Sequence, residues 1–212
     1  MQEIDIQNWK RKSHYELFGS YADPTFTISV RLDMTHFMAH KPAGHGFFAP
    51  FTYLLMTAAN RFEGLRIRWV DGRIVAFDTV HPSYTVLLAD ENFAFQSSVY
   101  GGDYATYQAA MRRDIQAAQQ GEGSFQTNNR ADLIYISSLP WLDFRSITNP
   151  LPHGDKMSMS IPRFNWGKCV KEGDRYAMTL SATLNHAYID GYETSMMMQQ
   201  LQQLLDTCEL YF

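Results

Sequence analysis

The chain has 212 residues, of which 45% are hydrophobic and 19% are charged, and its formal net charge is −4 at pH 7. This balance is typical of a globular domain that buries its core without disulfides or a structural metal, and we expect residues 1–212 to form one such domain. No basic patch stands out, which argues against nucleic acid as a partner. The two cysteines, Cys169 and Cys208, are too few for a disulfide framework.

The chain also lacks the sequence features of a secreted or membrane protein. It begins with the polar segment MQEIDIQNWKRK, which has no apolar core of a signal peptide. The longest apolar stretch, residues 47–59, is interrupted by proline, threonine and tyrosine and is too short to span a bilayer. We therefore expect a soluble, cytoplasmic protein with no membrane partner.

Several segments have the pattern of β-strands. Residues 25–33 alternate, with an apolar side chain at every second position from Phe26 to Leu32, which predicts a half-buried strand. The pair Asp71 and Gly72 predicts a two-residue hairpin turn. The strands on either side of this turn are predicted over residues 65–70 and 73–77, and further strands over residues 84–89, 93–99, 133–137 and 176–184.

Other segments have helical periodicity or turn-forming composition. Helices are predicted over residues 6–18, 50–62, 104–119 and 193–205. Polar stretches with glycine or proline predict loops over residues 119–129 and 148–155. The mixture predicts an α+β fold, a two-layer sandwich in which helices cover a mixed, largely antiparallel sheet.

One motif carries recognisable chemistry. The segment NHAYIDGYE contains His186, Asp190 and Gly191 in an HxxxDG arrangement, between a predicted strand and a predicted helix. A neutral imidazole is the side chain whose ordinary pKa suits a general base near pH 7, and such a base activates an alcohol by removing its proton. The motif alone is equally compatible with a core histidine beside a turn that starts a helix.

Beyond this motif, the chain resembles type A chloramphenicol acetyltransferases over nearly its whole length. The matching segments are residues 4–18, 32–35, 62–69, 138–147, 167–175 and 185–192. Dihydrolipoamide acyltransferases, condensation domains and plant acyltransferases also contain HxxxDG, but in chains that are usually much longer. The resemblance implies acetyl-CoA as co-substrate and no permanently bound cofactor. Antibiotic resistance is a role associated with this family, and the sequence leaves open whether it is the role of this chain. The resemblance also implies a homotrimer with active sites at subunit interfaces, in which acetyl passes directly to the alcohol.

The resemblance assigns roles to four residues of the reaction. His186 matches the general base, and Asp190 matches the aspartate that orders the active-site loop. Ser146 matches a serine whose hydroxyl donates to the tetrahedral oxyanion. Lys168 matches a lysine near the phosphate end of CoA, where a cation would meet the 3′-phosphate; the alternative is a solvated surface lysine.

Four further residues match positions of the acceptor site. Phe26 and Phe93 match aromatic walls of the acceptor pocket, although ordinary core residues on strands would fit the sequence equally well. Asn165 stands where the family has a threonine that binds the intermediate through water, and an amide can still donate and accept. Phe95 stands where the family has a small residue.

Two departures affect the site. Gly19 occupies the position where the family often has an arginine that pairs with Asp190. Because an unpaired buried carboxylate is costly, we expect Arg11, Lys12 or backbone amides to replace that arginine. Residues 148–159 match a region that forms part of the drug-binding wall in the family, and this region is several residues shorter here. A shorter wall together with the larger Phe95 side chain could exclude chloramphenicol.

The remaining candidate sites are weaker. His36, His40 and His45 lie close in sequence, and the first two have a spacing that can hold a metal on a helix. No cysteine or carboxylate of that stretch completes a ligand set, so we expect no metal. Cys169 lacks the motif context of a catalytic nucleophile.

Three functions remain open. The first is O-acetyl transfer to chloramphenicol or a related alcohol. The second is a trimeric binding protein that sequesters a small molecule with little turnover. The third is an acetyltransferase for a different alcohol.

Overall fold

The computed structural model describes residues 1–123, 130–152 and 154–212. The predicted loop at residues 119–129 therefore lies largely outside the described residues. His153, within the second predicted loop, also lies outside them. The described part of that loop up to residue 152 contains no helix or strand.

The described residues form ten strands and six α-helices. The strands are β1 (Gln2–Glu3), β2 (Thr25–Asp33), β3 (Ile67–Val70), β4 (Arg73–Ala76), β5 (His81–Leu87), β6 (Phe93–Ser97), β7 (Leu133–Ser138), β8 (Arg163–Trp166), β9 (Val170–Glu172) and β10 (Arg175–Asn185). The helices are α1 (Lys12–Phe18), α2 (Thr35–His40), α3 (Phe48–Ala59), α4 (Tyr104–Ala117), α5 (Lys156–Ser160) and α6 (Gly191–Asp206).

The main sheet is mixed and largely antiparallel, as predicted. Its strand order is β2-β10-β8-β7-β5-β6, with β9 also paired to β10. The β5–β7 and β7–β8 pairs are parallel, and the other pairs are antiparallel. A smaller sheet has the order β1-β4-β3. In its hairpin, Asp71 and Gly72 have φ of 49° and 82°, the two positive values that a type I′ turn requires.

The helices cover one face of the main sheet. Leu180, Ala182 and Leu184 of β10 point into a core that includes buried side chains of α3 and α6. The residues between them point to the opposite face. There Thr27 pairs with Thr183 and Ser29 pairs with Ser181 through their hydroxyls. These four residues, with Thr179, Asn165, Ser137 and Thr85 at neighbouring register positions, are called the polar sheet face. The arrangement confirms the predicted two-layer α+β fold.

One predicted helix is wrong as a single element. Residues 6–18 form a short 3-10 turn, Ile6–Asn8, followed by α1. Trp9 is extended between them, with φ −76° and ψ 130°. It packs with Ile67 and Tyr188 in a second apolar cluster, so tertiary packing overrides the helical pattern.

Five short elements were not predicted, namely β1, α2, α5, β8 and β9. They contain two to six residues each, too few for a periodic pattern to stand out. All four side chains of β8 are buried, so its sequence does not alternate. In the part of the chain that the structure describes, no helix combines the length and apolar character needed to cross a bilayer.

Candidate active site

His186 lies immediately after the last residue of β10, beside the edge strand β2. Its backbone N–H donates to the carbonyl of Pro24 at 2.8 Å, which fixes the chain as it leaves the strand. The imidazole stacks on the Phe18 ring with centroids 4.0 Å apart and an angle of 7° between the planes. The Phe26 ring lies 4.8 Å away on a tilted plane. Two aromatic rings therefore set the position of a half-buried imidazole.

The two ring nitrogens of His186 are both without a described partner. Nδ1 is buried and has no hydrogen bond to the described residues. No hydrogen bond joins Nε2 to them either. A general base needs one free ring nitrogen, and the other then carries the proton. Nothing in the described chain therefore competes with an incoming hydroxyl for Nε2.

Asp190 is the N-cap of α6. Its Oδ1 accepts from the backbone N–H of Glu193 at 2.9 Å, and its Oδ2 accepts from Nη1 of Arg11 at 3.0 Å. The Glu193 amide is the main reason that the pKa of Asp190 lies below its usual value, and Arg11 adds to the effect against the opposing effect of burial. Arg11 and a backbone amide thus replace the family arginine, in agreement with the prediction.

The geometry also explains why Gly19 carries no side chain. A Cβ atom there would lie 2.5 Å from the carbonyl oxygen of Tyr15, so the chain at the end of α1 leaves no room for an arginine. The cation that reaches Asp190 comes from the other end of the same helix, since Arg11 precedes α1.

Glu193 is a residue of this site that the sequence interpretation missed. Its Oε1 accepts from the backbone N–H of Gly64 at 3.0 Å, and its Oε2 lies 3.9 Å from Nη1 of Arg11. It therefore ties α6 to the segment before β3. The signal was present, because an acidic residue three positions after an N-cap aspartate is typical of a capping box.

A groove of about 810 Å³ lies along the face of the main sheet that the helices do not cover. Phe93, Phe95 and Asn165 all line it. The Phe93 and Phe95 rings meet edge to face with centroids 5.4 Å apart, and Phe93 is 49% exposed, so Phe93 is not a core residue. Asn165 is 2% exposed and donates from Nδ2 to Oδ1 of Asn149 at 3.2 Å.

Within one chain, the predicted residues fall into separate places. His186 and Phe26 do not line this groove. Phe26 packs against the helix-covered core, so it lies on the opposite side of the sheet from Phe93. Ser146 is exposed and makes no hydrogen bond to a described residue. The chain therefore does not by itself bring the imidazole, the serine and the groove together.

A polar network nevertheless extends from the groove toward β10. Asn149 lines the groove and donates from Nδ2 to Oγ1 of Thr183 at 3.1 Å, and Thr183 pairs with Thr27 at 2.8 Å. Thr183 precedes His186 by three positions. These contacts hold the segment after β7 against the polar sheet face near the imidazole.

Lys168 and Cys169 lie in the short connection between β8 and β9. Lys168 is exposed, and its ammonium makes no ion pair with a described residue, which is compatible with both interpretations of this lysine. Burial raises the pKa of the Cys169 thiol to about 11. A thiol that is protonated at neutral pH is a poor nucleophile, in line with the prediction that Cys169 is not catalytic.

The histidine stretch is organised differently from the sequence expectation. His36 and His40 lie on α2 with their rings stacked 3.9 Å apart. Nε2 of His36 is 2.7 Å from Oε2 of Glu209, and the ligand atoms of His36, Cys208 and Glu209 all lie within 4.8 Å of one another. Residues near the end of the chain thus place a cysteine and a carboxylate next to His36, although they are distant from it in sequence. These three residues could hold a metal, while the expectation of no metal stays a prediction.

Comparison with known proteins adds family information to this geometry. Residues 1–202 match the family model described as chloramphenicol acetyltransferase. The chain is 31% identical over 205 residues to a chloramphenicol acetyltransferase of Escherichia coli, covering 96% of this chain and 93% of that protein. It is 30% identical over 207 residues to one of Proteus mirabilis, covering 96% and 94%.

Solved structures agree with the sequence comparison. One described as chloramphenicol acetyltransferase superposes with a TM-score of 0.83 at 26% identity, covering 96% of this chain and 99% of that chain. A probable dihydrolipoamide acetyltransferase of Listeria monocytogenes superposes with a TM-score of 0.67 at 14% identity, covering 92% and 89%. The second likeness shows a common fold alone.

Proposed function

Since this chain belongs to the chloramphenicol acetyltransferase family, and is therefore an acyltransferase, we propose that it acetylates a hydroxyl of chloramphenicol or a similar alcohol. Acetyl-CoA is the proposed donor, used as a co-substrate rather than a bound cofactor. The proposal includes a cytoplasmic location. The observation that carries it is the position of His186, an imidazole stacked on Phe18 at the end of a rigid strand with its ring nitrogens free of described partners.

The proposed reaction is a direct transfer. Nε2 of His186 removes the proton of the acceptor hydroxyl, and the oxygen attacks the thioester carbonyl. The hydroxyl of Ser146 donates to the oxyanion of the tetrahedral intermediate. As the intermediate collapses, a C–O bond has formed and the C–S bond breaks. The proton on His186 then passes to the CoA thiolate.

We propose that the active enzyme is a homotrimer in which His186 of one subunit faces the groove of the next. The separation of His186 from the groove within a single chain supports this arrangement, as does the exposed position of Ser146. In this arrangement, Phe93, Phe95 and Asn165 bind the acceptor. Phe26 contacts the His186 imidazole and forms the part of the acceptor wall next to it. Lys168 is proposed to meet a CoA phosphate, because its ammonium is exposed and has no described acidic partner.

The alternative of a binding protein without turnover loses part of its basis. It depended on Gly19 and Phe95 as departures from the family. Arg11 supplies the cation that Gly19 cannot, so the loop that carries His186 is still held at Asp190. Phe95 lines the groove, so its size affects which acceptor can bind and not the acetyl transfer step.

Release of free CoA thiol tests this function directly. Purified protein with acetyl-CoA and chloramphenicol should release thiol, and His186→Ala should abolish the release. His14, an exposed histidine on α1, provides the control variant His14→Ala, which should retain wild-type turnover. Tight acceptor binding without thiol release would instead support the sequestering alternative.

A further inference from the structure

One cation lines the groove with no described carboxylate within ion-pair distance. Arg163 opens β8, and its guanidinium lies 5.4 Å from the centroid of the Tyr135 ring. The residue is only 7% exposed, yet it forms part of the groove wall. Burial lowers the pKa of this guanidinium from its ordinary value, but arginine remains charged at neutral pH.

The hydrogen bonds of Arg163 go to uncharged acceptors. Nη1 donates to the carbonyls of Ser158 and Ile161 at 3.1 and 3.0 Å, and Nη2 donates to Oγ of Ser158 at 3.0 Å. No carboxylate of the described residues lies within ion-pair distance of Arg163, and residues 124–129 and 153 include no aspartate or glutamate. Asp155 also lines the groove, but its Oδ1 accepts from the Ser158 amide as the N-cap of α5.

A second buried arginine, Arg68, has a purely structural role and provides a comparison for Arg163. Arg68 is fully buried, and its guanidinium donates to four backbone carbonyls, those of Leu65, Ile67, Ala131 and Leu133. It lines no part of the groove. In Arg163, by contrast, Nε has no described hydrogen bond and Nη2 makes only one. These two positions lie along one edge of the guanidinium, the geometry that binds a carboxylate through two parallel hydrogen bonds.

We propose that the groove takes an acceptor alcohol that carries a carboxylate, and that Arg163 binds this carboxylate and sets the specificity. The inference rests on the proposed acetyltransferase function. The charge of Asp155 favours the charged guanidinium without forming an ion pair with it, and an anionic ligand in direct contact would offset more of the cost of burying this cation. Asp155 in the same groove favours a single negative charge over a dianion. The groove is also lined by three aromatic side chains, those of Phe93, Phe95 and Trp141. They would pack against an aromatic or apolar part of the acceptor, between its carboxylate and its hydroxyl.

The carboxylate takes no part in the bond changes. The acetyl carbon leaves the sulfur of CoA and joins the acceptor oxygen, and the hydroxyl proton passes through His186 to the thiolate. Arg163 therefore acts on acceptor binding, and its loss should appear mainly in the KM for charged acceptors.

The test compares N-benzoylserine with its methyl ester, which share a primary hydroxyl and an aromatic ring and differ in charge. Thiol release and calorimetric titration are measured for each compound with the wild-type protein, Arg163→Gln, Arg163→Lys and Arg113→Gln. Arg113 is exposed on α4, so its variant changes net charge equally away from the groove. We expect the wild type and Arg113→Gln to prefer the acid by roughly 10- to 100-fold in kcat/KM. Arg163→Gln should lose the preference, and Arg163→Lys should keep part of it.

The outcomes separate this inference from the proposed function. Wild-type protein that acetylates chloramphenicol or the ester at least as well as the acid would overturn the role of Arg163 while leaving the acetyltransferase function intact. If no compound releases thiol, the proposed function fails, and titration of the wild type alone still decides whether the acid binds in preference to the ester. That comparison needs no variant, so a misfolded Arg163→Gln protein would not prevent a result.

Discussion

Nη1 of Arg11 donates to Oδ2 of Asp190 at 3.0 Å, which joins the residue before α1 to the first turn of α6 across 179 positions of sequence. The contact holds the backbone that leads from His186 into the helix. Because Nε and Nη2 of Arg11 are buried without described partners, the ion pair is the main contact of this guanidinium.

Arg11→Gln should therefore weaken both the fold and the reaction. We expect a loss of about 2 kcal/mol in the free energy of unfolding, the magnitude typical of a hydrogen bond to a charged group, and a lower kcat. Urea denaturation and steady-state kinetics measure the two effects. Lys12→Gln is the control, since the Lys12 ammonium meets only exposed side chains, Oε1 of Gln7 at 2.6 Å and Oε1 of Glu16 at 4.0 Å. Equal losses in both variants would contradict this role of Arg11.

Asp190→Asn should change the pH dependence of stability. The folded-state pKa of Asp190 lies below the value of 3.8 expected in the unfolded chain. The carboxylate therefore contributes stability that is fully present above pH 3.8 and is lost as the pH falls through the lower folded-state pKa.

Wild-type protein should accordingly be more stable than Asp190→Asn by a constant amount near neutral pH, and the two should converge in acid. Urea denaturation of both proteins between neutral and acidic pH provides the measurement. A difference in unfolding free energy that stays the same in acid would exclude this linkage.

Phe18→Leu should impair turnover more than acceptor binding. Leucine keeps much of the volume but removes the flat surface on which the His186 imidazole rests. We expect kcat to fall roughly 10-fold while KM changes little, because orientation of the base contributes mainly in the transition state. Leu17→Ala, at an exposed position of the same helix, should leave kcat unchanged. A wild-type kcat in Phe18→Leu would show that the stack is only packing.

Ser146→Ala should lower kcat without affecting stability. An oxyanion donor contributes roughly 3 kcal/mol to the transition state, so kcat should fall on the order of 100-fold. Since Ser146 is exposed and has no described hydrogen bond in the single chain, the melting temperature should stay near that of the wild type. Ser13→Ala, at an exposed position of α1, is the control. An unchanged kcat would remove Ser146 from the reaction.

Mixed oligomers test whether the sites are shared between subunits. His186→Ala and Ser146→Ala subunits, refolded together in equal amounts, should recover roughly a quarter of the wild-type sites, because random pairing places an intact histidine opposite an intact serine that often. Analytical ultracentrifugation should show a trimer. If the mixture stays as inactive as either variant alone, each site belongs to one chain.

The sequence predicts local structure better than it predicts contacts. The strand at Thr25–Asp33 and the Asp71–Gly72 turn follow from patterns within a few residues, and both are confirmed. The break at Trp9 depends on a cluster formed with distant residues, so no local pattern could reveal it.

The same limit applies to the site. The HxxxDG motif identifies His186 and Asp190, and the departure at Gly19 correctly directs attention to Arg11. The contact between Gly64 and Glu193 joins segments 129 positions apart, and the approach of Glu209 to His36 joins segments 173 apart. Arg163 is one of several arginines in the sequence, and only its burial beside a groove sets it apart.

The hydroxyl pairs of the polar sheet face have a consequence for the energetics of covering this surface. The hydroxyls pair with one another across β2 and β10, Thr27 with Thr183 and Ser29 with Ser181. Each of these four hydroxyls therefore has a hydrogen-bond partner before any other surface covers it, so its burial leaves no unsatisfied polar group and carries little of the usual desolvation penalty.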